Sequence, residues 1–551
     1  MSEGGPLRWT AGVGLGLHAR VGYRAERLGD HDYWRDQTGR LQRATLRKLL
    51  RTAARTEFGR AHGFERLLRI RDGRELVRAY REAVPVQDWY GFQRQIERMR
   101  EGGERDVLWP GLVGDFAQTS GTTAGDKFIP VTKAMFRSNY LASLDIFAHL
   151  IRFGESLPEI MSGRALFLGG SSDVETNAHR VRTGDLSGLV TKLIRWPLSE
   201  VYSPGPEIAL ESHWPTKIER MARLCAGQDV RFISGMPSWA IVLMERVLEL
   251  TGASCAREVW PNLRVFVHGG VKYTPFVPRV SKLWSGDAAE DLPQRLELYP
   301  ASEGFLAIQD EAWDPGLRLL VDIGNVLEFV PLERIGDANP PAYLADEVER
   351  GRPYVVVLST CAGLWRYVLG DVVEFETVAR AGEVGAGFGP GRVRIVGRHK
   401  HFINAFGENI IVEHIERAVA QAASETGVTV GEFTAAPVYP NEGGGEGVRT
   451  RAGLELAVEI EGGAEGAQLA AFRDAFDEAL KAQNVDYTTK RKDGVGMVRP
   501  RVSALGVGAF HRWLESRGKL GGQHKCPRCA NHREIIEEVK RVSPALAVVE
   551  P

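Results

Sequence analysis

Residues 118–127 read Gln-Thr-Ser-Gly-Thr-Thr-Ala-Gly-Asp-Lys, a run of hydroxyl side chains and glycines that ends in Lys127. Glycines let backbone N–H groups turn towards an anion, hydroxyls add donors, and a lysine supplies positive charge, so the run predicts a phosphate-holding loop. A Walker loop needs four residues between its glycines, whereas Gly121 and Gly125 are separated by three and Asp126 precedes the lysine. A P-loop is therefore excluded, while an ordinary Gly/Ser/Thr hairpin turn stays open at this point.

The composition is typical of a soluble enzyme. The chain has 551 residues, 43% of them hydrophobic, and 70 basic against 71 acidic residues, for a net charge of -1. This balance gives no reason to expect a nucleic-acid or membrane partner. No segment reaches the roughly 20 apolar residues that span a bilayer, and the five cysteines are too few and scattered for a disulfide framework. We therefore expect a cytoplasmic protein with reduced thiols.

Hydrophobic periodicity predicts a large first domain. Apolar residues recur at roughly helical spacing in about the first 105 residues, which predicts amphipathic helices that cover a larger body. Across residues 112–375, short β-rich runs alternate with helix-like segments such as 239–250, the pattern of an α/β domain. The glycine-rich residues 382–391 fit a hairpin connection.

The pattern restarts after Arg398 as a small α+β domain. Residues 454–460 alternate apolar with polar or small side chains, which predicts a half-exposed strand, and 441–453 predicts a mobile loop. Two helical faces carry the apolar residues Ile411, Ile415, Ala418 and Ala422, and Leu469, Phe472, Phe476 and Leu480. We predict domains over 1–397 and 398–551.

Three further segments follow the loop in chain order. The first is Glu297-Leu-Tyr-Pro-Ala-Ser-Glu303-Gly304, which places a carboxylate at the end of an apolar run. The second is Leu364-Trp-Arg-Tyr367-Val-Leu-Gly-Asp371. The third is Gly-Arg-His-Lys-His-Phe-Ile-Asn-Ala-Phe-Gly-Glu-Asn-Ile over 397–410, which leads into Glu413-His-Ile-Glu416. Their order along the chain is more informative than any one of them.

The series SGTTAGDK, YPASEG, YVLGD and GRHKHFINAFGENIIVEHIE resembles the successive core motifs of the acyl-adenylate-forming superfamily, which includes acyl-CoA synthetases, luciferases and peptide-synthetase adenylation domains. Within it the chain most resembles the Gretchen Hagen family of acyl acid amido synthetases, as a microbial-type member. The segments that support this placement are 56–64, 235–239, 260–263, 268–270 and 523–528. The resemblance implies an α/β fold, with a large N-terminal adenylate-forming domain of β-sheets and packed helices and a small mobile α+β C-terminal domain.

The same resemblance implies a function. Such enzymes activate a carboxylic acid with ATP and Mg²⁺ to an acyl-adenylate, release pyrophosphate, and transfer the acyl group to the amine of an amino acid. The expected partners are therefore these two substrates, with no nucleic acid, membrane or obligate protein partner. A ligase that forms acyl-CoA and an inactive nucleotide-binding relative are the alternatives.

The resemblance also assigns roles to residues. Glu303 would bind Mg²⁺, which prefers oxygen ligands, and Asp371 would accept hydrogen bonds from the ribose hydroxyls. Tyr299 to Ser302 would border the adenine and the α-phosphate. The implied ATP contacts are Ser120, Gly121, Thr122, Thr123, Gly125, Lys127, Tyr299, Ala301, Ser302, Glu303, Tyr367, Asp371 and Arg398. The implied catalytic residues are Lys525, Glu303 and Arg398.

Residues 398–400 would form the hinge at which the small domain rotates between the two half-reactions. Lys525 would return to the site and neutralise charge on the phosphates. The sequence departs from relatives at Asn404 and Asn409, where lysines are expected. Lys525, Lys519 and Lys127 are thus alternative phosphate contacts, and Asp126 would oppose phosphate binding unless it points outward or helps hold a cation.

Simpler interpretations exist for these residues. Asp371 can cap a turn, Glu303 can be a solvated carboxylate, and Arg398 can form a surface ion pair. His524, Cys526, Cys529 and His532 have spacing that zinc ligands often show, but a single cysteine pair inside a family motif favours packed, reduced thiols. The acid pocket is expected near 268–270, and the identities of the acid and of the amine stay open.

Overall fold

The computed structural model describes residues 10–551 except 121–125, 170–173, 185, 192–197, 212–213, 271–272, 274–275, 400–401, 404–409, 439–452, 463–465, 485–486, 489–490, 492–496, 520–524 and 531. The chain divides into two compact units. One comprises Met1–Leu369 with Val373–Arg394, and the other Gly370–Val372 with Ile395–Pro551. The functional domains at 1–397 and 398–551 and the hinge at 398–400 stay predictions. The loop predicted at 441–453 also stays a prediction, because all of it except residue 453 lies outside the described residues.

The helices are Ala11–Gly29 (α1), His31–Ala53 (α2), Glu57–Ala61 (α3), Phe64–Leu67 (α4), Gly73–Ala83 (α5), Trp89–Arg100 (α6), Lys133–Arg152 (α7), Leu157–Met161 (α8), Leu186–Thr191 (α9), Pro206–Ala209 (α10), Trp214–Cys225 (α11), Pro237–Thr251 (α12), Ala256–Val259 (α13), Val277–Ser285 (α14), Val412–Thr426 (α15), Gly466–Gln483 (α16), Ala509–Ser516 (α17) and Glu534–Val542 (α18).

The strands are Asp115–Ser120 (β1), Asp126–Val131 (β2), Arg164–Phe167 (β3), Glu175–Thr176 (β4), Arg182–Gly184 (β5), Tyr202–Ser203 (β6), Val230–Gly235 (β7), Val265–Gly269 (β8), Gln294–Ala301 (β9), Gly304–Gln309 (β10), Leu317–Leu319 (β11), Val326–Pro331 (β12), Pro353–Ser359 (β13), Tyr367–Thr377 (β14), Arg392–Arg398 (β15), Phe402–Ile403 (β16), Ile410–Ile411 (β17), Val430–Val438 (β18), Gly453–Ile460 (β19), Arg501–Leu505 (β20) and Ala547–Val549 (β21).

The first six helices occupy the segment where periodicity predicts amphipathic helices. In α2, Leu46, Leu49 and Leu50 recur at helical spacing and are at most 3% exposed. The carboxylate of Asp30 accepts a hydrogen bond from the Tyr33 backbone N–H and caps the start of this helix. Burial of each leucine side chain contributes on the order of 1.5–3 kcal/mol to the free energy of folding.

An 11-stranded sheet of order β12-β13-β14-β15-β11-β10-β9-β8-β7-β3-β6 forms the larger body. The run from β6 to β9 is parallel, and helices such as α12, where the sequence predicts one, pack with it in a shared apolar cluster. The strands from β9 to β11 and on to β15 pair antiparallel. β14 and β15 are neighbours, as their glycine-rich connection predicts, and the predicted α/β class is confirmed.

The second unit is built on a sheet of order β18-β19-β20-β21. α15 and α16 pack through Ile415, Ala418 and Ala422 on one side and Leu469, Phe472, Phe476 and Leu480 on the other, and all seven are fully buried. Ile411, which the sequence predicted on the first helical face, lies in β17 instead, and its side chain is outside the described residues. A second apolar cluster joins Ala457 of β19 to residues of α17 and α18.

The predicted half-exposure of 454–460 is wrong, because every residue of β19 is buried. Helices cover the sheet on both faces, so the polar residues of the alternation lie inside as well. Glu455 is fully buried and accepts hydrogen bonds from Ser503, Arg533 and Lys540, which satisfy its charge. Alternation reports two different faces, and it reports exposure only when one face lacks a cover.

Within the described residues, no helix is both long enough and apolar enough to cross a membrane. All five cysteines are described, buried and free of disulfides.

Candidate active site

The carboxylate of Glu303 lies in a tight β-hairpin. β9 and β10 pair antiparallel with Ala301 opposite Gly304, so Ser302 and Glu303 form the turn. Glu303 is only 8% exposed and Tyr299, on β9, is 4% exposed. The apolar run before the motif thus forms a buried strand, and its end places an acidic side chain in the interior. The alternative of a solvated surface carboxylate is excluded by this burial.

Tyr367 joins the second motif to the first. Its hydroxyl donates a hydrogen bond of 3.2 Å to Oε1 of Glu303. Tyr367 begins β14, is 2% exposed, and packs its ring against Phe92. The structure therefore brings together two of the residues that the sequence predicted as ATP contacts, 64 positions apart. A neutral hydroxyl donor restrains one carboxylate oxygen without neutralising its charge.

Asp371 and the third motif meet in the second unit. Asp371 follows Gly370 on β14 and is 8% exposed. The backbone N–H of His399 donates to the Gly370 carbonyl at 2.9 Å. This hydrogen bond brings the chain next to Arg398 close to the chain next to Asp371. Gly370 has φ +97°, a conformation that favours glycine, and a Cβ there would lie 3.4 Å from Nδ1 of His399. Arg398 ends β15, and its side chain lies outside the description.

The strands that flank the predicted phosphate loop pair with each other. β1 and β2 are antiparallel, with Ser120 opposite Asp126 and Thr119 opposite Lys127. Lys127 is half-buried at the start of β2. Gly121, Thr122, Thr123 and Gly125 lie outside the described residues, as do the side chains of Ser120 and Asp126. The phosphate-binding role of this loop stays a prediction.

Lys525 precedes an anchored segment of the second unit. The side chain of Thr434 donates to the Pro527 carbonyl at 2.7 Å, and the Ala435 N–H donates to the Arg528 carbonyl at 2.9 Å. Lys525 itself is exposed. Of the other candidates, Lys519 is half-buried, and Lys400, Asn404 and Asn409 lie outside the described residues.

The geometry does not favour zinc at the cysteine pair. Cys526 lies in the apolar cluster of α17 and α18, whereas Cys529 lies in the cluster of α15 and α16. Burial raises the pKa of both thiols, which disfavours the thiolate that a metal would need. His532 is half-buried and His524 lies outside the described residues. Packed, reduced thiols agree with this arrangement.

Three domain models of one family match the chain. The GH3 family N-terminal domain matches residues 32–204, the central domain 319–381 and the C-terminal domain 413–534, which together make up well over half of the sequence. The chain belongs to the GH3 family. The family predicted from the motifs is therefore confirmed.

Relatives of this GH3 chain cover nearly all of it. A probable indole-3-acetic acid-amido synthetase, GH3.2 of Oryza sativa subsp. japonica, is 24% identical over 93% of this chain and 92% of its own length. Jasmonoyl-L-amino acid synthetase JAR6 of Nicotiana attenuata is 23% identical over 89% and 91%. The solved structure of the GH3.15 acyl acid amido synthetase has TM-score 0.72 and 15% identity over 92% of this chain and 94% of that one. The fold is shared, and the predicted ligase reaction agrees with these names.

Asn325 packs beside the Glu303 hairpin of this GH3 chain, and the sequence did not reveal it. It is 1% exposed, and its Oδ1 accepts a hydrogen bond from the Cys361 N–H at 3.1 Å. Its Nδ2 has no hydrogen-bond partner among the described residues, and lies 2.7 Å from where a Cβ on Gly304 would stand. An isolated asparagine between apolar runs carries no motif, so only the tertiary structure identifies it.

Gly304→Ala is expected to displace the Glu303 turn, because the added methyl group would meet the Asn325 amide at 2.7 Å. We expect a loss of about 1–3 kcal/mol in unfolding free energy and a clear loss of ATP-dependent activity. Thermal unfolding and pyrophosphate exchange would measure the two effects. Gly336→Ala is the matched control, since a Cβ there meets nothing within 4 Å. Equal behaviour of the two variants would contradict the close approach at Gly304.

His268, in the segment predicted to border the acid pocket, is a buried neutral histidine. It is 1% exposed, stacks on Tyr273 with ring centroids 4.2 Å apart, and neither ring nitrogen has a hydrogen-bond partner within the described part of the chain. Burial, reinforced by the charge of Arg295, lowers its pKa to about 3. Burial also lowers the pKa of His149 well below its usual value. The acid pocket near residues 268–270, and with it any contact between His268 and a substrate, stays a prediction.

Protonation of His268 is expected to destabilise the fold. Its pKa is lower in the folded than in the unfolded state, so its stabilising contribution is complete above about pH 6.5 and is lost as the pH falls towards 3. Between pH 7 and pH 5 we expect the ionisation of His268 to lower the free energy of unfolding by about 2 kcal/mol. Urea unfolding at pH 7 and pH 5 should show a smaller pH effect in His268→Phe, with the His149 contribution retained. An identical pH effect in both proteins would contradict the assignment.

Proposed function

We propose that this GH3 chain is an ATP-dependent acyl acid amido synthetase, which joins a carboxylic acid to the amine of an amino acid through an acyl-adenylate. The observation that carries the proposal is the buried Glu303 hairpin, whose carboxylate accepts the Tyr367 hydroxyl at 3.2 Å. Two motifs of an adenylating enzyme meet at this contact. Family membership and the fold shared with an acyl acid amido synthetase support the same reaction.

The reaction needs two displacements. A carboxylate is a poor electrophile, so its oxygen first attacks the α-phosphorus of ATP, which forms the acyl–phosphate bond and releases pyrophosphate. The neutral amine nitrogen then attacks the acyl carbon, the acyl–oxygen bond breaks, AMP leaves, and the amine loses a proton. Each step develops negative charge on phosphate oxygens, and fixed cationic and N–H groups lower the barrier where that charge develops.

Glu303 has the chemistry of a Mg²⁺ ligand. It is an acceptor-only carboxylate in a buried turn, with Oε1 restrained by Tyr367, and hard cations prefer such oxygens. When bound, Mg²⁺ would offset the negative charge of the ATP phosphates. Glu303 would hold the cation, and the hydrogen bond from the Tyr367 hydroxyl limits the rotation of the carboxylate.

We assign the remaining roles as proposals. Asp371, a buried carboxylate, would accept hydrogen bonds from the ribose hydroxyls, and the loop that begins at Ser120 with Lys127 would bind the phosphates. Arg398 and Lys525 would neutralise phosphate charge. Lys525 is the more accessible lysine, because it is exposed next to an anchored segment whereas Lys519 is half-buried.

The acceptor decides between the proposed function and its closest rival. The protein would be incubated with ATP, Mg²⁺, a panel of indole, jasmonate-like, benzoate-like and fatty acids, and either mixed amino acids or CoA, and the products identified by mass spectrometry. Amides formed without CoA are the expected result. Acyl-CoA formed in preference to amides would establish the thiol ligase, and ATP binding without any product would favour the inactive relative.

We further propose that the protein is cytoplasmic, where ATP and amino acids are supplied and its five free thiols stay reduced. Cell fractionation with an antibody against the chain would test this, since recovery outside the cytoplasmic fraction would contradict it.

A further inference from the structure

Arg366 is almost completely buried, with 1% of its surface exposed. Its Nε donates to Oε2 of Glu328 at 3.1 Å, and its Nη1 donates to the carbonyls of Arg81 at 3.0 Å and Val84 at 2.8 Å. These carbonyls lie at the C-terminal end of α5, where helix carbonyls lack intrahelical partners and a cation is favoured. Oε1 of Glu328 accepts from Arg81, so both carboxylate oxygens are engaged. The guanidinium therefore joins α5 to β12.

The backbone on both sides of Tyr367 is held as firmly. Arg366 has φ +47°, which a non-glycine residue adopts only where its surroundings enforce it. Its N–H donates to the Ser359 hydroxyl at 3.1 Å, and its carbonyl accepts from the Gln87 N–H at 3.1 Å. The Val368 N–H donates to the Gln87 carbonyl at 2.8 Å, which completes a parallel bridge at Tyr367. This turn sets the direction in which the Tyr367 side chain leaves the backbone.

We infer that Arg366 is a positioning residue, which acts through the hydroxyl of Tyr367 to fix the Glu303 carboxylate in the orientation that receives Mg²⁺-bound ATP. The inference rests on the proposed role of Glu303. In this role Arg366 does not contact the substrates or the reacting atoms. Three elements, α5, β12 and β13, hold the Arg366 side chain and backbone, and the next residue, Tyr367, donates a hydrogen bond to the hairpin.

An arginine is required because its planar fork serves three acceptors at once. A lysine has the same charge, but its ammonium group is a single point that cannot reach a carboxylate and two helix-end carbonyls from the same direction. Arg366→Lys therefore keeps the charge opposite the buried Glu328 and loses the geometry. Arg366→Met would leave that carboxylate without a partner charge from this side and is expected to impair folding.

The test measures ATP affinity by isothermal titration calorimetry, with saturating Mg²⁺ and with EDTA, and takes the ratio of the two dissociation constants. We expect Tyr367→Phe, Glu303→Gln and Arg366→Lys each to reduce the Mg²⁺-dependent gain in affinity about tenfold. The double variant Arg366→Lys/Tyr367→Phe should show no further reduction, because Arg366 acts through the hydroxyl that Tyr367→Phe removes.

Arg231→Lys is the matched control. Arg231 is 3% exposed, donates to Asp229 and to the Glu159 carbonyl, and lies on β7, which five strands separate from β14 in the sheet order. We expect it to lower the unfolding temperature and leave the Mg²⁺ ratio unchanged. Ser359→Ala removes the hydroxyl that anchors the Arg366 backbone, and replaces Arg366→Lys in the same cycle if the lysine variant does not fold.

The outcomes separate the inference from the function on which it rests. If Glu303→Gln reduces the Mg²⁺ ratio while Arg366→Lys or Ser359→Ala leaves it unchanged, the positioning role is overturned and the proposed function stands. Additive effects in the double variant would also overturn it. An unchanged ratio in Glu303→Gln would overturn the Mg²⁺ role of Glu303 and the inference together.

Discussion

Glu303→Gln is expected to lower the rate of acid-dependent pyrophosphate exchange by about 100-fold or more, a loss typical of removing a group that stabilises transition-state charge. Glutamine preserves the size of the side chain and can still accept a hydrogen bond from the Tyr367 hydroxyl. It loses the negative charge that would hold Mg²⁺. The measurement is incorporation of labelled pyrophosphate into ATP with a saturating acid.

Glu311→Gln serves as the control for Glu303→Gln. Glu311 follows the far end of the same β-hairpin, two residues beyond Gln309, and its side chain is 44% exposed and forms a long ion pair of 3.9 Å with Arg392. The loss of one carboxylate there should leave both exchange and the unfolding temperature near the wild-type values. Exchange in Glu303→Gln that equals that of Glu311→Gln would show that Glu303 does not contribute to adenylation.

Asp371→Ala is expected to weaken ATP binding by about 10- to 100-fold, because hydrogen bonds to a charged group are worth about 1.5–3 kcal/mol. Asp371 is 8% exposed in the folded protein, so few water molecules would compete with the ribose hydroxyls for hydrogen bonds to its carboxylate. Titration calorimetry with ATP, without any acid present, isolates this effect from the chemical step.

Glu376→Gln is the companion of Asp371→Ala. Glu376 lies on the same strand, β14, and forms an ion pair with Arg394. No ligand contact is proposed for it. A similar loss of ATP affinity in both variants would indicate a general disturbance of β14. Unaltered affinity in Asp371→Ala would contradict the proposed contact between Asp371 and the ribose; the turn-capping alternative does not fit either, since Asp371 lies within strand β14.

The ordered motifs were sufficient to predict the family and the fold class, because a set of short segments in fixed order constrains the whole chain. They also predicted that Glu303 and Tyr367 serve one site. The motifs did not show that the Tyr367 hydroxyl contacts Oε1 of Glu303 directly. That contact depends on how β14 and the β9–β10 hairpin are placed by the sheet, which local sequence does not encode.

Residues that support the site were harder to find from the sequence. Arg366 stands inside a quoted motif, but an arginine is usually solvated, and only the tertiary structure brings Glu328 and the end of α5 to it. Asn325 has no local signal at all. The buried polar face of β19 was misjudged for the same reason, since alternation cannot show that a second layer of helices covers Glu455.

Acid-dependent exchange of labelled pyrophosphate into ATP, measured across a panel of carboxylic acids, tests the central claim most directly. We predict exchange with at least one acid, no exchange without acid, and a strong loss in Glu303→Gln and Asp371→Ala. The absence of exchange with every acid, in a protein that binds ATP by calorimetry, would contradict the assignment of this chain as an acid-adenylating synthetase.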